Sequence, residues 1–211
     1  MTEAAASHLW SPPEDLMRGR QFGPRHLQLL DGIETILLTE GFRDLTVGGL
    51  AERLHCSRRT LYELADSKEE LVLLVIDRLL RRLARRAHDA ANAETSHLER
   101  LRSFLTKGLT ELHRATLTFT QDVADDDAAH ALIAAHFRYA TNVIVGLLTE
   151  GIDAGEFSAA IHPRVAAEAI DAGLARLQEP AVLRTAGVTF AEALEEFLIY
   201  FTDGIRAGGA T

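Results

Sequence analysis

The chain has 211 residues, of which 47% are hydrophobic and 25% are charged, the proportions of a globular protein with a sizeable core. Its one cysteine, Cys56, excludes an internal disulfide framework, and no apolar run reaches the roughly 18–20 uninterrupted residues of a membrane-spanning helix. Its first residues lack the basic start and apolar stretch of a secretory signal. We therefore expect a cytoplasmic protein that does not bind a membrane.

The net charge of −9 is unevenly distributed along the chain. Residues 1–88 hold 13 basic and 13 acidic residues, whereas residues 89–211 hold 9 basic and 18 acidic residues. Binding to phosphate depends on the charge of one face rather than on the sum over a chain. The first part can therefore still bind a nucleic acid.

Residues 1–24 contain three prolines and two glycines and lack helical periodicity, so we expect a flexible extension. Arg18 and Arg20 lie in this segment. A flexible arm could carry them into the minor groove of DNA, but a solvated tail is the favoured interpretation.

From about residue 25 onwards, apolar residues recur at steps of three and four, which predicts an all-α fold of about nine helices. Breaks are expected at glycines, prolines and a run of three aspartates. The predicted helices span about 25–40, 47–54, 58–64, 68–90, 97–113, 115–124, 127–153, 163–178 and 189–206.

The segment from Thr46 to Leu71 carries the most informative pattern, two short helices separated by a turn of three to four residues. Thr46 and Ser57 are each placed as an N-cap, whose hydroxyl accepts a hydrogen bond from the first helical turn. Such a pair is typical of a helix-turn-helix, in which the first residues of the second helix meet base edges in the major groove of DNA.

The candidate DNA contacts follow from these positions. Arg58 and Arg59 open the second helix, and an arginine fork matches the O6 and N7 acceptors of guanine. Lys68 adds an ammonium at the N-terminus of the long helix, where a phosphate oxygen is favoured. Hydroxyl groups nearby can reach a phosphate or a base. The predicted DNA-contacting residues are Thr46, Arg58, Arg59, Thr60, Tyr62 and Lys68.

These residues resemble the tetracycline-repressor (TetR) family of transcriptional regulators over about 50 positions. The resemblance implies a DNA-binding domain over 25–70, with the helix-turn-helix at about 47–66, and a ligand-binding and dimerisation domain over 71–211. The matching residues are Gly41-Phe42, Thr46-Val47, Leu50-Ala51, Ser57, Thr60-Leu61-Tyr62 and Ser67-Lys68-Glu69-Glu70-Leu71.

Three residues depart from the family pattern. His55 stands at a turn position where the family usually has glycine, and histidine tolerates a left-handed backbone better than most residues do. Cys56 replaces a usual valine and is interpreted as a structural cysteine. Ala65 replaces a usual phenylalanine, which weakens one packing contact of the second helix of the motif.

The family's last two helices pair across a two-fold axis as a four-helix bundle, and the chain carries apolar stripes suited to that role. Ala169 and Gly173 would permit close approach of two helices. We therefore expect a homodimer. The predicted interface consists of Val165, Ala169, Ile170, Gly173, Leu174, Leu177, Phe190, Leu194, Phe197, Leu198, Phe201 and Ile205.

The resemblance also implies a pocket for a small-molecule effector between the long helix and the three helices after it. Such pockets are mostly apolar and hold a few polar groups, so a lipophilic effector is expected. Core packing is an equally good interpretation of most of these side chains. The candidate lining residues are Phe104, Leu105, His113, Phe119, His136, Phe137, Arg138, Tyr139 and Val143.

The chain lacks the motifs G-x-S-x-G and H-E-x-x-H and a phosphate-binding glycine loop, so we predict neither enzyme activity nor a cofactor. His130 and His136 are six residues apart and face different sides of a helix, so no metal site is predicted. The favoured function is a sequence-specific repressor that an effector releases from a palindromic operator. Two alternatives stay open: a DNA-binding protein of this fold without an effector, and a helical small-molecule-binding protein without DNA binding.

Overall fold

The computed structural model describes residues 15–109 and 114–206. These residues form ten helices, and the only extended pairing among them is an isolated bridge between Phe157 and Arg206. The predicted all-α class is confirmed. The helices are α1 (Pro24–Glu40), α2 (Val47–Arg53), α3 (Arg58–Tyr62), α4 (Lys68–Asn92), α5 (His97–Leu109), α6 (Leu117–Asp125), α7 (Asp127–Asp153), α8 (Pro163–Leu177), α9 (Pro180–Ala186) and α10 (Phe190–Ile205).

Within the described residues the chain forms two compact units. The headpiece unit comprises residues 15–82 and 114–137, and the C-terminal unit comprises residues 83–109 and 138–206. Helices α4 and α7 each contribute to both units.

The core of the headpiece unit is built on the apolar stripe of α1. Leu30, Ile33 and Leu37 are each at most 1% exposed, as their spacing predicts. Leu61 of α3 and Leu74 of α4 are each 1% exposed, so they are buried as completely as the leucines and isoleucine of α1. Burial of each such side chain stabilises the fold by about 1.5–3 kcal/mol.

Charged side chains bind α1 to α4 beside this core. Arg82 donates two hydrogen bonds, of 2.7 and 2.9 Å, to the two carboxylate oxygens of Glu34, which is 5% exposed. Arg78 donates to Asp31 at 2.7 Å, one turn earlier on both helices. The two-point arginine contact fixes the register of α4 against α1, because a fork and a carboxylate fit in only one relative orientation.

The C-terminal unit has its own hydrophobic core, to which α5, α7, α8 and α10 all contribute. Leu101, Leu148 and Ile170 are fully buried there, and Leu198 is 3% exposed. Gly151 lets α7 accept the ring of Phe157, since a Cβ at this glycine would lie 2.2 Å from the ring carbons.

Helix α7 is long and apolar enough for its length and composition to match a membrane-spanning helix. Arg138 and Glu150 lie within α7, so its apolar residues do not form an uninterrupted run of roughly 18–20. Single helices of this kind are weak evidence for a membrane, because core helices share their composition. Here Ile144, Leu147 and Leu148 are buried in the core of the C-terminal unit.

Helix α9 is absent from the sequence prediction, which treated Glu179-Pro180 only as a break. Pro180 occupies the first helical position instead, where its missing N–H has no partner to lose and its fixed φ suits a helix. Gly187 ends the helix with a left-handed φ of +72°. A proline after one helix therefore also begins the next.

Candidate nucleic-acid interface

Both predicted caps of the helix-turn-helix are present. The Thr46 hydroxyl accepts a hydrogen bond of 3.0 Å from the N–H of Gly49, and the Ser57 hydroxyl accepts one of 3.1 Å from the N–H of Thr60. Both cap residues have extended backbone dihedrals. The cap at Ser57 fixes the start of α3, so that Arg58 is its first residue.

The turn between α2 and α3 is left-handed at His55, where φ is +50°. Among the described residues, His55 is the one non-glycine residue with a positive φ. This backbone conformation explains why glycine is usual at this position in the family that the sequence resembles. The next N–H, that of Cys56, bonds the carbonyl of Ala51 at 2.9 Å and closes the turn. Burial raises the pKa of the Cys56 thiol, although Arg25 acts in the opposite direction. A raised pKa favours the protonated, unreactive thiol.

Arg58 and Arg59 are both exposed at the N-terminus of α3. The Arg58 guanidinium lies over Gly48 of α2, where a Cβ would be 2.7 Å from its Nη2. The Arg59 side chain is 90% exposed and has Glu63 one turn away, at 3.7 Å. Two arginines at the start of one capped helix are therefore available to a ligand outside the protein.

The other predicted contacts of α3 differ in their surroundings. The hydroxyls of Thr60 and Ser57 are 2.9 Å apart and share a hydrogen bond, so Thr60 is part of the cap. Tyr62 is 51% exposed, whereas Leu61, which lies between Thr60 and Tyr62 in the sequence, is buried. Tyr62 therefore points away from the core that holds α3 in place.

Lys68 does not extend freely from α4. Its ammonium donates a hydrogen bond of 2.7 Å to the backbone carbonyl of Arg43, in the turn between α1 and α2. Three donors on an ammonium leave room for a phosphate oxygen beside this bond. At the start of α4, the N–H of Glu70 donates to the Ser67 hydroxyl at 3.0 Å, and the Glu70 carboxylate accepts from the N–H of Asp66 at 2.9 Å.

Sequence reasoning missed the anchoring of this turn by α6. The buried carboxylate of Asp122 accepts hydrogen bonds from the backbone N–H groups of Phe42 and Arg43, at 2.6 and 2.9 Å. Arg43 also forms ion pairs with Asp122, at 3.6 Å, and with Asp125. In the sequence, only the glycine at position 41 indicated a close contact at this turn. The residue that makes the contact, Asp122, lies about 80 positions later and could not be identified from the glycine.

A buried ionic cluster joins three further segments of the headpiece unit. Asp77, which is fully buried, accepts hydrogen bonds from Arg81 Nε at 2.8 Å, His136 Nε2 at 2.9 Å and the N–H of Leu16 at 3.2 Å. Burial by itself would raise the pKa of Asp77, but the bonds from His136 and Arg81 outweigh it, and the pKa is lowered. His136, predicted to line a pocket, is thus engaged in this cluster.

The other pocket candidates fall into both units. In the headpiece unit, Phe119 is buried and packs edge-to-face on Phe42, while Phe137 is 37% exposed. In the C-terminal unit, His88 packs on Phe104 and shares a hydrogen bond with Tyr139. Leu105 is buried there, Val143 packs against the core, Arg138 is exposed, and His113 lies outside the described residues.

Burial keeps the His88–Tyr139 pair uncharged near neutral pH. It lowers the pKa of His88, although Asp89 acts in the opposite direction, and it raises the pKa of Tyr139. The pair is therefore a neutral polar group among apolar side chains of the C-terminal unit.

The residues predicted to form the dimer interface differ in their exposure to solvent. Five of its residues, Ile170, Leu174, Leu194, Leu198 and Ile205, lie in the core of the C-terminal unit and leave no surface for a partner. Their stripe faces inward because α8 and α10 pack on each other and on the core. The remaining interface candidates are exposed or partly buried: Val165, Ala169, Gly173, Leu177, Phe190, Phe197 and Phe201.

Comparison of the sequence with protein families matches residues 29–75 to "Bacterial regulatory proteins, tetR family". The match extends from α1 into α4 and contains the whole helix-turn-helix. No curated protein matches the chain significantly.

Solved structures share the fold over most of the chain. A putative transcriptional regulator from Saccharomonospora viridis in complex with choline has a TM-score of 0.73 and 14% identity over 85% of this chain and 96% of its own. A TetR transcription regulator from Haloarcula marismortui gives 0.72 and 19%, over 88% and 100%. The fatty acid degradation regulator FadR from Bacillus halodurans gives 0.71 and 17%, over 89% and 100%.

Proposed function

We propose that this chain, a DNA-binding transcriptional regulator of the tetR family, binds a palindromic operator as a homodimer and represses transcription until a small-molecule effector releases it. The cytoplasm would be its place of action.

The observation that carries this proposal is the exposure of Arg58 and Arg59 at the capped start of α3. The Ser57 cap fixes where α3 begins, and Leu61 anchors the helix to the core. Because the backbone is fixed, both guanidinium groups start from defined positions and can fork onto guanine edges. Lys68 and the exposed hydroxyl of Tyr62 would then contact the phosphates on either side.

A gel-shift assay with DNA from upstream of the protein's own gene tests operator binding directly. The wild type should bind this fragment at least about 10³-fold more tightly than random DNA of equal length. Arg59→Ala should weaken binding to the operator by about 1–3 kcal/mol and leave binding to random DNA nearly unchanged. Arg184→Ala on α9 is the control, since it removes an exposed arginine from another helix. Equal losses on both DNAs would limit Arg59 to phosphate contact.

The size of the reading helix supports a homodimer. A five-residue α3 reads few bases, so a second copy bound one helical turn away, at about 34–36 Å, supplies the missing specificity. The partly exposed apolar residues of α8 and α10 offer a surface for that copy. Within the chain, the rings of Phe197 and Phe201 stack with their centroids 6.1 Å apart, and Phe197 covers Gly173, so the aromatic rings rather than Gly173 would meet a partner.

A largely apolar, uncharged effector suits the C-terminal unit. The His88–Tyr139 pair is neutral and lies beside the ring of Phe104, so it could bond one polar group of a lipophilic molecule. A thermal-shift screen of lipophilic compounds should yield stabilising hits that also release DNA in the gel-shift assay. Such release would follow if the compound binds better to a form whose two headpieces no longer fit the half-sites. Stabilising hits that leave operator affinity unchanged would favour a DNA-binding protein without an effector.

A further inference from the structure

The guanidinium of Arg20 connects the end of the DNA-reading helix with the start of the next helix. It donates a hydrogen bond to the backbone carbonyl of Leu64, just beyond α3, and forms an ion pair with Glu70 in the first turn of α4. The other oxygen of Glu70 accepts from the N–H of Asp66 at 2.9 Å, in the turn between the two helices. One side chain therefore links both ends of the α3–α4 turn.

Two residues of the first turn of α1 contact α3 and the turn before it. Arg25 Nη2 donates to the carbonyl of His55 at 3.4 Å, in the left-handed turn before α3. His26 Nε2 lies 3.4 Å from the carboxylate of Glu63, the C-cap of α3. The backbone before and after α3 is thus contacted by residues 20–26.

The start of this segment is attached to α4. The N–H of Leu16 donates to the buried carboxylate of Asp77 at 3.2 Å, and Asp15 lies 3.3 Å from Arg81. Residues 15–26, called the strap below, therefore extend from the middle of α4 to both ends of α3. Within the strap, the side chains of Asp15, Arg20, Arg25 and His26 and the N–H of Leu16 have partners. The expected flexibility of residues 1–24 stays a prediction.

We propose that Arg20 is a positioning residue for operator reading: the strap holds α3 at a fixed angle to α4, and Arg20 is its main contact. The proposal rests on the proposed function, since it assumes that α3 reads DNA. A five-residue helix has one turn of internal hydrogen bonds and depends on its surroundings for its orientation. The carbonyl of Leu64 and the carboxylate of Glu70 give Arg20 two acceptors in fixed directions, which only a planar fork can satisfy together.

The alternative role for Arg20 is a minor-groove contact. That role needs an arginine free to leave the protein, and the two acceptors hold Arg20 on the headpiece unit. Arg18 is the better candidate for an arm, because it is exposed and no described residue forms an ion pair or a hydrogen bond with its side chain. The pair Arg20 and Arg18 therefore provides matched variants on one short segment.

The first experiment compares Arg20→Ala, Arg20→Lys and Arg18→Ala in the full chain by fluorescence anisotropy with operator and random DNA at several salt concentrations. Arg20→Ala should weaken operator binding about tenfold, weaken random-DNA binding less than about twofold, and leave the salt dependence unchanged. Arg20→Lys should recover part of the loss, because one ammonium can reach one acceptor at a time. A lost DNA contact would instead lower both affinities and reduce the salt slope by about 1, which would overturn the proposal.

The second experiment uses Glu70→Gln. A positioning role for Arg20 and a purely electrostatic effect predict opposite changes in operator affinity for this variant. The amide oxygen of Gln can still accept from Asp66 N–H, but the charge that pairs with Arg20 is gone. If Arg20 positions α3, the variant weakens operator binding several-fold, and Arg20→Ala adds little to it in the double variant. If electrostatics alone matters, removal of a negative charge near DNA tightens binding. Tighter binding would contradict the proposal.

Hydrogen exchange without DNA separates the strap from the proposed function. The amides of Glu63 and Leu64 are hydrogen-bonded within and just after α3, and Arg20→Ala should speed their exchange at least about fivefold while core amides of α1 stay protected. Failure of the wild type to bind any upstream DNA would refute the proposed function alone. Unchanged exchange at both amides would refute the strap alone.

Discussion

The Asp122 carboxylate lies so close to Gly41 that no side chain fits at this glycine. An ideal Cβ on Gly41 would lie 2.3 Å from Asp122 Oδ2 and 2.9 Å from Thr118 Cγ2. The φ of Gly41 is +81°, a conformation that residues with a Cβ rarely adopt. Gly41 therefore has two roles: it ends α1, and its lack of a side chain lets α6 approach closely.

Gly41→Ala should lower the free energy of unfolding by about 2–4 kcal/mol, since it combines backbone strain with a steric clash. Urea denaturation followed by circular dichroism measures the loss. Gly187→Ala is the control, because Gly187 also ends a helix with φ +72° but has nothing within 4 Å of its Cβ position. The control should cost only about 1 kcal/mol, and equal losses in the two variants would show that the contact with Asp122 is unimportant.

Asp122→Ala should lower the free energy of unfolding by about 2–3 kcal/mol, because it leaves the N–H groups of Phe42 and Arg43 without acceptors. Asp125→Ala is a matched control, since Asp125 also pairs with Arg43 but is 61% exposed. An exposed ion pair contributes about 0–1 kcal/mol. If the two variants lose the same amount in urea denaturation, the buried hydrogen bonds are not the source of stability.

Local patterns were sufficient to predict the frame of the helix-turn-helix, because each signal is satisfied within a few residues. The caps Thr46 and Ser57 bond N–H groups three positions later, and the left-handed turn at His55 closes within one residue. Asp122 could not be assigned in the same way, since its partners are about 80 positions away. The burial of Ile170 and Leu174 was also beyond the pattern, because two facing stripes look alike whether they meet the core or a partner.

Gly48→Ala should lower operator affinity about three- to tenfold without loss of stability. A Cβ at Gly48 would lie 2.7 Å from Arg58 Nη2, so the flexible guanidinium must move from its position on α2. Gly48 is the second residue of α2, so the helix gains at most the roughly 1 kcal/mol by which alanine is favoured over glycine in a helix interior. Fluorescence anisotropy with operator DNA and thermal melting measure the two effects.

Arg58→Ala provides the reference for this prediction. If Gly48→Ala acts by displacing Arg58, then adding it to Arg58→Ala should have little further effect on DNA binding. Additive losses would mean that Gly48 acts on DNA binding by another route, such as the approach of α2 to the phosphate backbone.

Val165→Glu should convert the proposed dimer to a monomer and weaken operator binding by at least about 100-fold. Val165 is 65% exposed on α8, so the substitution leaves the core of the C-terminal unit intact, but an unpaired carboxylate in a helix interface is costly. Light scattering gives the mass, and a gel-shift assay gives the affinity. Thr185→Glu on α9 is the control, as an exposed residue outside the predicted interface. A dimeric Val165→Glu protein with normal operator binding would place the interface elsewhere.

Asp77→Asn should lower the free energy of unfolding by about 3 kcal/mol at pH 6, because His136 and Arg81 lose their shared carboxylate in a buried site.

The pKa of Asp77 is lowered in the folded protein, below its ordinary value of about 3.9. A lowered pKa means that folding favours the ionised form, so this stabilisation is fully present above about pH 4. It is lost as the pH falls from there through the folded-state pKa. The stability advantage of the wild type over Asp77→Asn, measured by urea denaturation, should therefore be smaller below about pH 4 than at pH 6. Asp31→Asn, which removes a carboxylate that is 62% exposed and pairs with Arg78, should cost at most about 1 kcal/mol. A wild-type advantage over Asp77→Asn that persists undiminished to about pH 2 would show that ionisation of Asp77 does not stabilise the fold.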